Sequence, residues 1–269
     1  MKEIIEVIKE QFSHVGMIYR MSRYEDKATY QSHYLGLAWQ ILNPAIQIGI
    51  YYLIFGVGVN GNNKIDGVPF LVWMLTGIIA WFYINSSVLG ASNSIHRQVG
   101  MVAKMKFPVS ILPTINIVSN LSSYIPMMGI LLLVLFSYGM SPTIYWLQFF
   151  YYFICMFVFL FAYGILNATI TVLVRDYHIF LQSVFRLLFY VSGPIWDINN
   201  RNLPDKLVNV LKLNPFYYII EGFRDAFLSR GWFWEKGTYG LIFWCMVLIL
   251  LILGSHLHMK FRARFVDYV

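Results

Sequence analysis

Long stretches without a charged side chain divide this sequence. No Asp, Glu, Lys or Arg occurs from Ala28 to Asn63, from Gly67 to His96, from Phe107 to Val174, or from Gly237 to Met259. A helix that crosses a bilayer needs about 20 mainly apolar residues, and each stretch is long enough. The third holds two crossings, with SYGMSPTIY at 137–145 as the turn between them. The pattern predicts six spans, near 36–58, 69–91, 109–136, 147–173, 178–194 and 238–258, the fifth being short. An even number of crossings leaves both termini on one side.

The flanking segments have patterns of their own. Ile4, Ile5, Ile8, Phe12, Val15 and Tyr19 recur at helical spacing, opposite Lys2, Glu3, Glu6, Lys9 and Glu10. This predicts an amphipathic helix within residues 1–30, lying in the membrane interface with its apolar face down. Docking to a cytoplasmic partner is a second use for the same helix. A signal peptide would need a continuous apolar core and a small-residue cleavage site. Residues 195–237 are hydrophobic yet punctuated by Pro204 and Pro215, with Pro194 just before them. They are too short for two further spans. They predict two short helices that dip into the outer leaflet and return, shielded by protein. Trp196, Trp232 and Trp234 suit an interfacial aromatic belt. Glu221 and Asp225 share a helix face, and with Arg224 they are expected to form ion pairs near the outer surface.

Composition supports a membrane class: 58% hydrophobic, 12% charged, mean hydropathy +0.60. The net charge of +7 is uneven along the chain. Lys2, Lys9, Arg20, Arg23 and Lys27 precede the first span. Arg97, Lys104 and Lys106 follow the second, Arg175 the fourth, and Lys260, Arg262 and Arg264 the last. The opposite short loops hold Lys64 alone. Positive charge collects on the cytoplasmic side, which places both termini there and leaves no need to invoke nucleic acid. Cys155 and Cys245 fall mid-span and read as buried small hydrophobes. The histidines show no metal-ligand spacing, and His256 and His258, two apart, face different directions. No metal site is expected.

Several spans carry polar stripes. Gln40, Asn43 and Gln47 share a face that Tyr51 continues. Trp73, Thr76, Ala80, Tyr83 and Ser87 repeat the spacing in span two; Asn116, Asn120 and Ser123 do so in span three, and Gly164, Asn167 and Thr171 in span four. Such faces turn away from lipid. They act either as glue between helices or as the lining of a polar, aromatic conduit. Tyrosine, with a flat apolar ring and a hydroxyl, suits a sugar. Arg186 is the one charged residue inside a predicted span, so no ion relay is evident. No GxxxxGK[ST] loop occurs, so the chain is not its own P-loop ATPase. Transport would require an external motor. Segment 93–108, basic and ending at Pro108, is either a plain basic loop or a short helix that transmits force. Pro44 and Pro126 are the expected pivots of the spans.

Four motifs occur in order: YLGLAWQILNPAIQIGIYYLIFG (34–56), VRDYHIF (174–180), SGPIWD (192–197) and LNPFYYIIEGFRDAFL (213–228). The set, covering nearly the whole chain, resembles type-2 ABC transporter permeases that export polysaccharides and teichoic acids. The resemblance implies a multi-pass, all-α homodimer in a bacterial cytoplasmic membrane. It implies two separate nucleotide-binding subunits that hold ATP and Mg, this chain having no cofactor and no catalysis of its own. It implies coupling to the ATPase through Ile95, Arg97, Val99, Met101 and Lys104 and through the N-terminal helix. It implies a re-entrant gate at Pro194, Trp196, Pro215, Phe216 and Arg224. The conduit would be lined by Gln40, Asn43, Gln47, Tyr51, Trp73, Thr76, Tyr83 and Ser87. The implied substrate is a polymer on undecaprenyl diphosphate lipid, with Arg20, Arg23 and Lys27 attracting the diphosphate at the cytoplasmic mouth. Wall teichoic acid is the first expectation, and O-antigen or capsular polysaccharide the alternative. A drug or small-lipid permease of the same type is a rival. So is an integral-membrane, lipid-linked glycosyl or phosphoryl transferase, which needs clustered acidic residues that the sequence lacks.

Overall fold

The computed structural model describes residues 2–30, 34–59, 64–104, 107–198 and 204–267. Helices dominate it. Two N-terminal helices, α1 (Lys2–Ser13) and α2 (Val15–Tyr30), are followed by α3 (Trp39–Tyr51). A hairpin of β1 (Lys64–Ile65) and β2 (Val68–Pro69) leads into α4 (Phe70–Lys104). Then come α5 (Leu112–Ser119), α6 (Leu121–Ser137), α7 (Gln148–Leu173) and α8 (Tyr177–Val191). The chain ends with α9 (Asp205–Lys212), α10 (Pro215–Leu228) and α11 (Gly237–Phe261).

Among the described residues, five helical segments are long and apolar enough to cross a membrane: Gly36–Val59, Phe70–Gln98, Val109–Ser137, Ile144–Leu173 and Phe233–Phe265. They coincide with five of the six predicted spans. The remaining one, 178–194, is α8, an apolar helix of 15 residues. At 1.5 Å per residue it is about 22 Å long, short of a hydrocarbon core of about 30 Å.

Two prolines lie inside helices. Helix α3 runs through Pro44 and α6 through Pro126 without a break. The irregularities lie elsewhere. Beyond Tyr51 the helix widens into a π-helical stretch, Tyr52–Val59, and the third span is interrupted at Asn120, between α5 and α6. There the Asn120 amide donates to the Asn116 carbonyl at 3.0 Å. A side chain that bonds the backbone competes with regular helical pairing.

The N-terminal region is two helices, not one, broken at His14. Ile5, Phe12, Val15 and Tyr19 are exposed, while Val7 and Ile18 are buried. The acidic side of α1 meets the C-terminal segment: Arg262 donates to Glu6 at 2.8 Å and to Glu10 at 2.9 Å. The β-hairpin turns at Asp66 and Gly67, both with positive φ (49° and 79°), as a two-residue turn of matching twist requires.

Helix α4 is the centre of the fold. In its most apolar stretch 78% of residues are buried, against 6% for α3. It packs on α5, α6, α7, α8 and α10. The main core gathers Trp73, Trp81, Tyr83, Phe159, Phe185, Phe216 and Phe243. A second core, at the other end of α4, joins Ile18, Ile95, Ile111, Ile115, Val172 and Phe265. Cys155 is buried as expected, but Cys245 is exposed, because much of α11 faces outward.

Candidate functional site

Two adjoining cavities lie beside α3. The larger, about 550 Å³, is bounded by α3, α4 and α8. Its walls include Tyr51, Trp81, Phe185 and Phe189 with Gln47, Asn85, Gln182 and Arg186. The smaller, about 270 Å³, is bounded by α3, α4, α5–α6 and the Asn120 break. It presents Gln40, Asn43, Gln47, Asn85, Ser86 and Ser123. Gln47, Phe82 and Asn85 belong to both cavities, so they form one furrow along α3. The geometry follows from sequence spacing. Gln40, Asn43 and Gln47 stack on one helical face, and the amides find partners or open space there instead of lipid. Gln40 donates to Ser122 Oγ at 3.2 Å. The furrow wall contains aromatic faces and amide groups, a combination that can take up flat, hydroxylated rings.

The second expected stripe goes elsewhere. Trp73, Thr76 and Ser87 are buried in helix packing and line neither cavity. Thr76 Oγ1 donates to the Trp73 carbonyl at 2.8 Å. Tyr83 borders the smaller cavity, but its hydroxyl donates to the Ile117 carbonyl at 3.0 Å, fixing α4 to α5. The face of α4 on the furrow is instead Trp81, Phe82, Asn85, Ser86 and Leu89. Periodicity alone could not separate the two faces, because α4 is surrounded and both are apolar or aromatic. A signal missed in the sequence lies on α8: His178, Gln182, Arg186 and Tyr190 recur every four residues, and the last three border the furrow.

Of the residues expected at the gate, Arg224 meets the Pro194 carbonyl, whereas Phe216 and Trp196 have other partners. Arg224 on α10 is 1% exposed and Asp225 is 2% exposed, correcting the expectation of surface ion pairs. The Arg224 guanidinium covers the Trp73 ring, with Cζ 3.5 Å from the ring centroid. Its Nη2 donates to the Gly193 and Pro194 carbonyls, both at 2.9 Å, and Nη1 donates to Glu221 at 2.5 Å. Burial explains this set: a desolvated cation needs a counter-charge and a full complement of acceptors. Arg230 extends the network from Glu221 to Asp66 of the hairpin, at 3.5 and 2.7 Å. Asp225 pairs with Lys236.

Asn214 caps α10, accepting from the Phe216 amide at 3.0 Å and donating to Ser192 at 2.9 Å. Pro215 occupies the first turn, where its missing N–H costs nothing. Phe216 inserts among Trp81, Phe159, Tyr163 and Phe185. Farther along α10, Phe223 meets Phe149, and Phe227 meets Trp146. Helix α10 therefore runs antiparallel to α7, beginning at the level of Phe159 and Tyr163, well inside that span. Trp196 donates to the Tyr190 carbonyl at 2.6 Å.

Segment 93–108 is not a separate helix. Through Lys104 it continues α4, whose 35 residues extend about 52 Å. Ile95 is buried in the second core. Arg97 is half-exposed and pairs with Glu25 of α2 at 3.8 Å, and Gln98 donates to the same carboxylate at 2.9 Å. Val99, Met101 and Lys104 belong to the helix, with side chains outside the described set; Lys106 also lies outside the described residues. Arg20, Arg23 and Lys27 are exposed along α2. Arg23 stands over Tyr19, 5.9 Å from its ring centroid.

A family assignment can be set against this geometry. Residues 17–228 match the family described as ABC-2 type transporter. The chain belongs to that family. The matched region runs from α2 to the end of α10 and so contains the furrow, the α4 extension and Arg224 with its Trp73 and Glu221 partners. The O-antigen export system permease protein RfbA of Myxococcus xanthus is 25% identical over 84% of this chain and 86% of its own length. A protein of the same name from Klebsiella pneumoniae is 26% identical over 90% of each chain. This ABC-2 type protein is a multi-pass membrane protein, and its relatives are membrane subunits of transporters.

Proposed function

We propose that this chain is the membrane-spanning permease subunit of an ATP-driven exporter that moves a lipid-linked polysaccharide of the O-antigen kind to the outer leaflet. The observation that carries the reading is the furrow. It is polar and aromatic, it lies at the depth of the spans, and it opens beside α3, the span least covered by its own chain. A second copy packed against α3 closes the furrow into a conduit. The relatives' names favour a glycan over the teichoic acid that the sequence motifs put first.

In this reading a separate nucleotide-binding subunit, two copies per dimer, supplies ATP hydrolysis with Mg. Its motion reaches the spans through the α4 extension, with α1 and α2 clamped beside it. Both termini are cytoplasmic. Helix α8 makes the fifth crossing only in part, and α9 and α10 form the re-entrant hairpin by the exit, tied down by Arg224. The lipid tails stay in the bilayer while the glycan passes along the furrow.

The test is to purify the tagged chain from its native membrane in mild detergent. An ATPase subunit at equal stoichiometry, with hydrolysis stimulated by lipid-linked O-antigen glycan, is the expected result. Recovery of the chain without an ATPase, under conditions that preserve other transporters, overturns the reading.

A further inference from the structure

Arg186 is the one cationic side chain on the wall of the larger cavity, and no carboxylate shares that wall. Among the described residues none forms an ion pair or hydrogen bond with it. It stands nine residues beyond Tyr177, about 14 Å along α8, past the midpoint of that helix. In the transport reading α8 lies in the bilayer, where a cation facing a cavity is costly unless an anion joins it. The surroundings suit one anion in particular. Gln47, Asn85 and Gln182 place amide groups on the same wall, and Trp81, Phe185 and Phe189 provide apolar faces beside the exposed Arg186. The guanidinium fork engages two oxygens of one phosphoryl group at once, which an ammonium cannot do.

We infer that Arg186, with the amides of Gln47, Asn85 and Gln182, forms a phosphoryl-binding site inside the furrow. The inference rests on the proposed transport reading and deepens it. The phosphoryl group comes from one of two sources: the diphosphate of the lipid carrier, or a phosphate within the polymer itself. The exposed Arg20, Arg23 and Lys27 on α2 remain a surface attraction at the mouth. Arg186 gives the anion a defined place along the path.

The experiment uses the full chain with its ATPase partner in lipid nanodiscs. Binding of undecaprenyl diphosphate, of a soluble phosphate-bearing repeat-unit oligomer and of a neutral O-antigen oligosaccharide is measured for wild type and for Arg186→Gln, Arg186→Met and Arg186→Lys. The expected result is a loss of about tenfold or more in affinity for one anionic probe in both neutral variants, a smaller loss in Arg186→Lys, and unchanged binding of the neutral oligosaccharide. The two neutral variants differ in stem and head group, so either one that assembles decides the outcome. Loss confined to undecaprenyl diphosphate assigns the carrier as source; loss confined to the soluble oligomer assigns the polymer. Wild-type affinity for both anionic probes in a neutral variant, or failure of both to bind wild type, overturns the inference. If the neutral oligosaccharide does not bind wild type while an anionic probe still requires Arg186, the glycan reading falls and the phosphoryl site stands.

Discussion

Arg224 of α10 lies over Trp73 of α4, its guanidinium carbon 3.5 Å from the indole centroid, while the same guanidinium bonds to the carbonyls of Gly193 and Pro194. One buried side chain of α10 thus fastens α10 to the central helix α4 and to the segment just after α8. Removing it leaves Glu221 and three carbonyls without their donor. Arg224→Ala should lower stability by about 3–5 kcal/mol, and Trp73→Ala by a similar amount, about 3–5 kcal/mol. Denaturant unfolding of the purified protein checks both. A Trp73→Ala protein that unfolds like wild type yet fails to export would return Trp73 to the conduit.

Gly77 provides the slot for that guanidinium. A Cβ placed there would sit 2.5 Å from Arg224 Nη2 and 3.1 Å from the Pro194 carbonyl oxygen. Gly77→Ala is therefore expected to cost about 1–3 kcal/mol through overpacking, despite the better helix propensity of alanine. Gly129 of α6 is the control, since nothing lies within 4 Å of its added Cβ; Gly129→Ala should be neutral or stabilising by up to about 1 kcal/mol. Equal melting temperatures for the two variants would contradict the slot.

The furrow predicts the opposite balance between stability and function. Gln47 is exposed, and Tyr51 and Asn85 are partly so. Alanine at each should change stability by less than about 1 kcal/mol and reduce polymer at the cell surface severalfold. Immunodetection of surface glycan, paired with membrane abundance of each variant, makes the comparison. Normal export in all three would mean that the stripe only packs against a neighbouring helix.

Near the C-terminal end of α4, Ile95 and Arg97 are two residues apart but differ in role. Ile95→Ala opens the second core and should cost about 2–5 kcal/mol. Arg97→Ala removes a partly exposed pair with Glu25 and should cost under about 1 kcal/mol, while weakening the link between α2 and the α4 extension. The expected signature is basal ATPase activity retained and substrate-stimulated activity reduced in the partner complex. Full stimulation in Arg97→Ala would remove the Glu25 contact from the coupling route.

Much of the architecture was readable along the chain. The charge-free stretches overlap all five helical segments that are long and apolar enough to cross a membrane, because in lipid a helix must be apolar for its full length. The amides of α3 announced the furrow, because a poorly covered helix has just one polar face to place. The α4 stripe was misleading. Trp73 and Trp81 are both aromatic residues on an apolar helix with neighbours all round, and spacing alone does not say which of them meets Arg224 and which meets the cavity.

The sequence by itself determined membrane residence, the spans, the asymmetry of charge and the amphipathic start, all of which follow from local chemistry and solvent. Only the tertiary structure decided that Arg224 and Asp225 are internal, that residues 93–104 are the tail of α4, and that α3 and α6 run on through Pro44 and Pro126. Those outcomes depend on contacts between residues far apart in sequence. Arg224 is 151 positions from the Trp73 carbonyl it approaches, and a buried charge is tolerable only where such distant partners converge on it.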